Sequence, residues 1–271
     1  MPVKLNGATS GSVTIDAPAV AGTNTLTLPA VTDTLVGLAA TQTLTGKTLT
    51  GTVLSAGTTT VAPLDFAAGT NLTTALAGAM EYDGKVFYGT PQSTQRGVIP
   101  GMQYYQLNSS YLGANTTASQ SVFGFGVTLS ASTVYAFEAL YYLTRSGATG
   151  GNHTVGFGFS LTNGASISNI LYNAIGYSST GGINSSTSLI SQYLATAITN
   201  VPYSPAFSTS PSYIYASLKG TVSITSGGTF TPQYTLTGTA PGSGYNTVSG
   251  SYFLIYPIGA SGSNVNVGTW A

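Results

Sequence analysis

Val134-Tyr135-Ala136-Phe137-Glu138-Ala139-Leu140-Tyr141-Tyr142-Leu143 decides the fold. The stretch is aromatic and aliphatic on both parities, which is the pattern of a central strand covered on two sides. In an antiparallel sandwich one of those sides is the core. The other fits a contact between subunits, where tyrosine is enriched. Tyr252-Phe253-Leu254-Ile255-Tyr256 has the same character.

Around these two, period-two alternation marks half-buried strands. Phe123, Phe125, Val127 and Leu129 alternate with Gly and Thr. His153, Val155, Phe157, Phe159 and Leu161 do likewise, and Ile214, Ala216, Leu218, Val222 and Ile224 oppose Tyr213, Tyr215, Ser217 and Lys219. The expected C-terminal fold is therefore an antiparallel β-sandwich. One helical interruption is expected at Leu189, Ile190, Tyr193, Leu194 and Ala197, after a serine-rich start suited to capping.

The composition narrows the function classes. Of 271 residues 42% are hydrophobic and 11% aromatic, but only 4% are charged, with zero net charge. Aromatic content at that level argues against disorder. A neutral surface of Ser, Thr, Asn, Gly and Tyr sets little electrostatic repulsion against association. Six Lys and Arg in all are too few to neutralise a nucleic-acid backbone or to form a basic membrane patch. No apolar run reaches membrane-span length, and MPVKLNGATS lacks the apolar core of a secretory signal. Cysteine is absent, so disulfides and thiolate metal sites are excluded, and robustness is expected from oligomerisation.

Charge also divides the chain. Lys4, Asp16, Asp33, Lys47, Asp65, Glu81, Asp83, Lys85 and Arg96 precede the Gly/Pro-punctuated junction Arg96-Gly97-Val98-Ile99-Pro100-Gly101, and only Glu138, Arg145 and Lys219 follow it. The first part is quasi-repetitive: Ser12-Val13-Thr14-Ile15, Thr25-Leu26-Thr27-Leu28, Thr34-Leu35-Val36, Thr43-Leu44-Thr45 and Thr48-Leu49-Thr50. Strands so short bury no face alone, so intertwined copies are their sensible setting; the alternative is a disordered Thr/Gly/Ala-rich linker. Leu72, Ala75, Leu76, Ala79 and Met80 have the spacing of a short helix, but Gly69, Gly78, Gly84 and the Thr-Thr pair cut its propensity, so an extended segment leading into a hairpin at Tyr82-Asp83-Gly84-Lys85 competes with it. The expected organisation is 1–38, a short-strand module; 39–100, a slender shaft and hairpin; and 101–271, the sandwich.

Leu5-Asn6-Gly7-Ala8-Thr9-Ser10-Gly11-Ser12-Val13-Thr14-Ile15-Asp16-Ala17-Pro18, followed by Ala21-Gly22-Thr23-Asn24-Thr25-Leu26-Thr27-Leu28-Pro29, resembles a module that recurs in the virion fibre proteins of tailed bacteriophages. Thr41-Gln42-Thr43-Leu44-Thr45-Gly46-Lys47-Thr48-Leu49-Thr50 and Gly78-Ala79-Met80-Glu81-Tyr82-Asp83-Gly84-Lys85-Val86-Phe87-Tyr88 resemble two further elements of such fibres. So do the ending pieces Ser251-Tyr252-Phe253-Leu254-Ile255-Tyr256-Pro257-Ile258-Gly259 and Val267-Gly268-Thr269-Trp270-Ala271. The resemblance covers roughly the first hundred residues and the end of the chain. It implies a homotrimer on the particle surface, in which residues 1–38 attach to other virion proteins and a jelly-roll-like tip projects outward.

Little in the sequence points to catalysis. Spikes that cleave host polysaccharide need two carboxylates flanking the bond, and residues beyond 101 contain only Glu138. Glu81 and Asp83 share one side of a strand, but the simpler reading is a turn held by Asp83-Gly84 with Lys85 compensating charge. Glu138 in a two-sided apolar strand needs a partner, and Arg145, His153, Lys219 or a threefold axis can supply one. His153 is the single histidine and makes a metal site only if three copies meet. No nucleophile elbow is present, and the Gly-rich tracts at 147–151, 178–182 and 242–244 carry no P-loop lysine. The eighteen tyrosines, Tyr104-Tyr105, Tyr141-Tyr142, Tyr203 and Tyr213 among them, suit sheet filling, interfaces and stacking on sugars. The expectation is a non-enzymatic virion protein with no catalytic residue, metal or cofactor. Its expected partners are its own copies, other virion proteins and a host surface glycan, with neither nucleic acid nor membrane insertion. A head fibre or decoration protein without a receptor role is the alternative, and a polysaccharide depolymerase the alternative of another class.

Overall fold

The structure is a computed structural model that describes residues 3–15, 23, 48, 50–145, 152–179, 189–202, 212–239 and 243–270. The strands expected at 25–28, 34–36 and 43–45, and Leu49 of the one at 48–50, lie outside the described residues. The chain divides into two units, Met1–Pro63 and Leu64–Ala271. No described residue is helical, and every strand pairing is antiparallel.

In the first unit, alternation of aliphatic and polar residues gives β1 (Val3–Asn6) and β2 (Ser12–Ile15). Val3 pairs with Ile15 and Leu5 with Val13, so all four aliphatic side chains share one face of the hairpin.

The second unit opens with a three-stranded sheet of β3 (Met80–Tyr82), β4 (Phe87–Gly89) and β5 (Gly97–Ile99). Asp83-Gly84 makes the turn: the Asp83 carboxylate accepts the N–H groups of Lys85 and Val86 at 2.8 Å each, and Gly84 takes φ 85°. Of the two readings of residues 72–80, the extended one is observed. The Glu81 carboxylate accepts the Leu72 N–H at 2.6 Å, and Gly78 turns at φ 81°, which a helix does not accommodate.

The strands of the sandwich follow: β6 (Gln103–Gln106), β7 (Tyr111–Leu112), β8 (Gln120–Ser121), β9 (Val127–Leu129), β10 (Thr133–Arg145) and β11 (Val155–Thr162). After them come β12 (Ser166–Ser179), β13 (Leu189–Ala195), β14 (Val201–Pro202), β15 (Ser212–Ser226), β16 (Gly228–Leu236), β17 (Asn246–Thr247) and β18 (Tyr252–Ala260). Among the described residues the larger sheet has eight strands, with β10 at its centre between β15 on one side and β18 with β17 on the other. The smaller has five: β14, β11, β16, β8 and β9. Short connections at 130–132, 163–165 and 227 carry the chain between sheets.

The inward residues of β10 are Tyr135, Phe137, Ala139, Tyr141 and Leu143, all buried. Phe137, 1% exposed, lies within 5.2 Å to 6.2 Å, centroid to centroid, of Phe159, Tyr172, Phe230 and Phe253. Two sheets contribute to that cluster, so the aromatic packing is what holds them face to face.

Two sequence expectations are corrected. The helix expected over Leu189 to Ala197 is strand β13, paired with Tyr172–Ser178 of β12. Its apolar spacing satisfies both periods, and the edge of β12 supplies the backbone partners that settle the choice. The strand expected from Phe123 to Leu129 is present only as β9. Ahead of it the Ser121 hydroxyl accepts the N–H groups of Phe123 and Gly124 and donates to the Phe125 carbonyl, which curls the chain and leaves Val122 and Phe123 both buried.

Candidate functional site: exposed apolar faces and a cleft

The ionisable residues singled out in sequence are drawn into structural contacts. Arg96 donates through Nε to Glu81 Oε2 at 2.8 Å and through Nη2 to Glu81 Oε1 at 3.2 Å and the Leu72 carbonyl at 2.7 Å. Glu81 thus ties the 72 segment to the three-stranded sheet. Burial raises the Asp83 carboxyl, but hydrogen bonds from Val86 N–H, the Tyr88 hydroxyl and Lys85 N–H outweigh it and hold the group below its ordinary value. Lys85 does not compensate Asp83 as expected; its Nζ donates to the Ala131 carbonyl at 3.0 Å.

Glu138 and Lys219 face each other across β10 and β15, and their side chains pair at 2.6 Å on the outer side of the sheet. Of the partners the sequence offered, Lys219 is the one used. His153 is buried, and its Nε2 lies 2.9 Å from the Tyr245 hydroxyl. Burial pushes the Tyr245 phenol up to about 12, so it stays protonated. Tyr245 was not singled out by sequence: it stands between Gly244 and Asn246 in no periodic run.

The register places a distinct set of side chains on the outer face of the eight-stranded sheet. One row across the strands runs Tyr104, Leu254, Glu138, Lys219, Asn173, Leu194. The next runs Gln106, Tyr252, Leu140, Ser217, Ile175, Gln192, and a third holds Tyr142, Tyr215 and Tyr177. Tyr104 stacks on Tyr252 at 5.5 Å, and Tyr177 lies 6.2 Å from Tyr215. The outer face of the smaller sheet differs: Thr231, Gln233 and Thr235 of β16 stand opposite Ser160, Gly158 and Gly156 of β11. Leu171, Ile175 and Tyr177 were missed in sequence, although Ile170-Leu171-Tyr172-Asn173-Ala174-Ile175 is apolar on both parities, as the 134–143 stretch is.

A second apolar surface belongs to the N-terminal region. Val3, Leu5, Val13 and Ile15 on the β1–β2 hairpin are each more than half exposed. Val53, in the same unit, is 91% exposed.

Where β6 and β9 form the facing edges of the two sheets, a cleft of about 340 Å³ opens between them. Tyr105, Phe123 and Phe125 wall it, Phe253 and Ile255 floor it, and Gln103 and Thr128 bring polar groups to it. Tyr105 meets Phe125 edge to face at 4.4 Å.

No protein-family model matches the chain, and no curated protein matches it. Among solved structures it is similar, at 9% identity, to one of the infectious bursal disease virus Gx strain, TM-score 0.15, covering 68% of this chain and 42% of that one. A structure of the Gt strain matches at 9% identity and TM-score 0.14, over 71% of this chain and 50% of that one. The chain thus spans half or less of the length of either. A likeness at those TM-scores carries neither fold nor role across.

Proposed function

We propose that this chain is a non-enzymatic structural protein of a virus particle, a homotrimeric fibre whose N-terminal part attaches to the particle and whose sandwich projects as a tip. The observation that carries the reading is the uncovered aliphatic surface of the N-terminal region. Val3, Leu5, Val13 and Ile15 share one face of the β1–β2 hairpin, and each leaves more than half its surface exposed in a single chain. A two-stranded hairpin is marginal by itself in water, and apolar surface on this scale marks a contact. An identical chain, which carries the same aliphatic hairpin, covers that face. The resemblance of residues 5–29, 41–50 and 78–88 to phage fibres supports the same reading. Light scattering on the full chain in dilute buffer tests it: a trimer is expected, and a monomer overturns it.

A neutral glycan of the host surface is the ligand class favoured by the cleft between β6 and β9. Its aromatic walls offer ring faces for sugar stacking, Gln103 and Thr128 offer hydrogen bonds, and none of its lining residues is charged. A glycan array showing no specific signal with the intact oligomer removes that role and leaves a decoration protein, whose deletion leaves adsorption normal. Release of new reducing ends from host capsule would replace both by a depolymerase.

A further inference from the structure

We infer that the outer face of the eight-stranded sheet is a contact between copies of this chain, a placement that rests on the oligomeric reading above and names one of its surfaces. The sandwich contains its own control. The smaller sheet turns Thr, Gln, Ser and Gly outward, small or polar residues with no large apolar side chain among them. The larger sheet turns out Leu140, Tyr142, Ile175, Tyr177, Tyr215 and Leu254 over the same kind of core.

Area, charge and residue type together favour a second copy as the occupant. Six strands, β6, β18, β10, β15, β12 and β13, lie side by side; β15 and β12 follow β10 along Ala136 to Thr144 while β18, β6 and β13 accompany part of that length, so at about 4.8 Å spacing and about 3.3 Å per residue the face measures about 700 Å². That is roughly what one partner contributes to a stable interface. The charges in its rows are Glu138 and Lys219, which neutralise each other in place. Other copies therefore approach the face without repulsion from its charges, and it lacks the cation cluster that a nucleic acid or an acidic surface requires. Tyrosine adds rigid apolar area with a hydroxyl that bonds at the rim.

The absence of cysteine makes the test direct. Leu194→Cys, at a position 70% exposed in the single chain, and Ile175→Cys each place one thiol on the face; Thr162→Cys, at an exposed position of β11, places one on the outer face of the smaller sheet. Each full-length variant is labelled with a bulky maleimide, and its mass is read by light scattering at the same concentration. The expected result is an oligomer in which Leu194→Cys and Ile175→Cys react at least about tenfold more slowly than Thr162→Cys, as thiols shut inside an interface do. An oligomer in which all three react alike overturns this face and leaves the oligomeric reading intact. A monomer overturns both.

Discussion

Asp83 shows how one side chain sets a turn. Its carboxylate takes N–H groups from Lys85 and Val86 and the Tyr88 hydroxyl, each at 2.8 Å, and these contacts outweigh burial to hold it below its ordinary value of 3.8. A carboxyl lower in the folded than the unfolded state adds stability that is complete above the unfolded value and is lost as pH falls through the folded one. Thermal melts from about pH 5 down to about pH 2 are therefore expected to lose stability in the acid limb, and Asp83→Asn to flatten that limb. Tyr88→Phe removes one donor and moves the limb to higher pH; an unchanged limb in both variants sinks the assignment. Glu81 is bound as tightly into its surroundings. Glu81→Gln breaks a half-buried ion pair with Arg96 and is expected to cost about 1–3 kcal/mol in urea melts.

At the scale of elements, β15 depends on a residue without a side chain. Gly220 stands opposite Phe137 of β10 and Tyr172 of β12. A Cβ there would press on the Leu171 carbonyl oxygen and lie 2.5 Å from Tyr172 Cβ. Gly220→Ala is expected to destabilise by about 1–3 kcal/mol, read as a lower urea midpoint. Phe137→Ala, which empties the centre of the aromatic cluster, is expected to cost about 3–5 kcal/mol; a loss below about 1 kcal/mol would mean the sheets are held elsewhere. Strands β10, β15 and β18 were legible because each carries a long apolar run of period two or of both parities. Strand β13 was not: Leu189, Ile190, Tyr193 and Leu194 fit a helix equally well, and the free edge of β12 made them a strand. The 121–126 turn escaped notice because a single serine hydroxyl, silent in any periodicity, closes it.

For the whole molecule, assembly and stability are expected to be linked. If copies cover the N-terminal aliphatics and the outer sheet face, the melting temperature rises with protein concentration. Calorimetry over a hundredfold concentration range is expected to show that rise, and a constant value contradicts it. Salt is expected to matter little, since 4% charged residues leave few interactions to screen.

The sequence alone determined the all-β class, the inward faces of the long strands and the poverty of charge, because alternation and composition are properties of the chain before it folds. The tertiary structure decided what no spacing encodes. It chose Lys219 as the partner of Glu138, placed His153 against Tyr245, and drew Glu81 and Asp83 into separate structural contacts. It also gathered outward tyrosines and leucines from strands far apart in sequence onto one face, since register across a sheet is fixed only when every strand has found its neighbour.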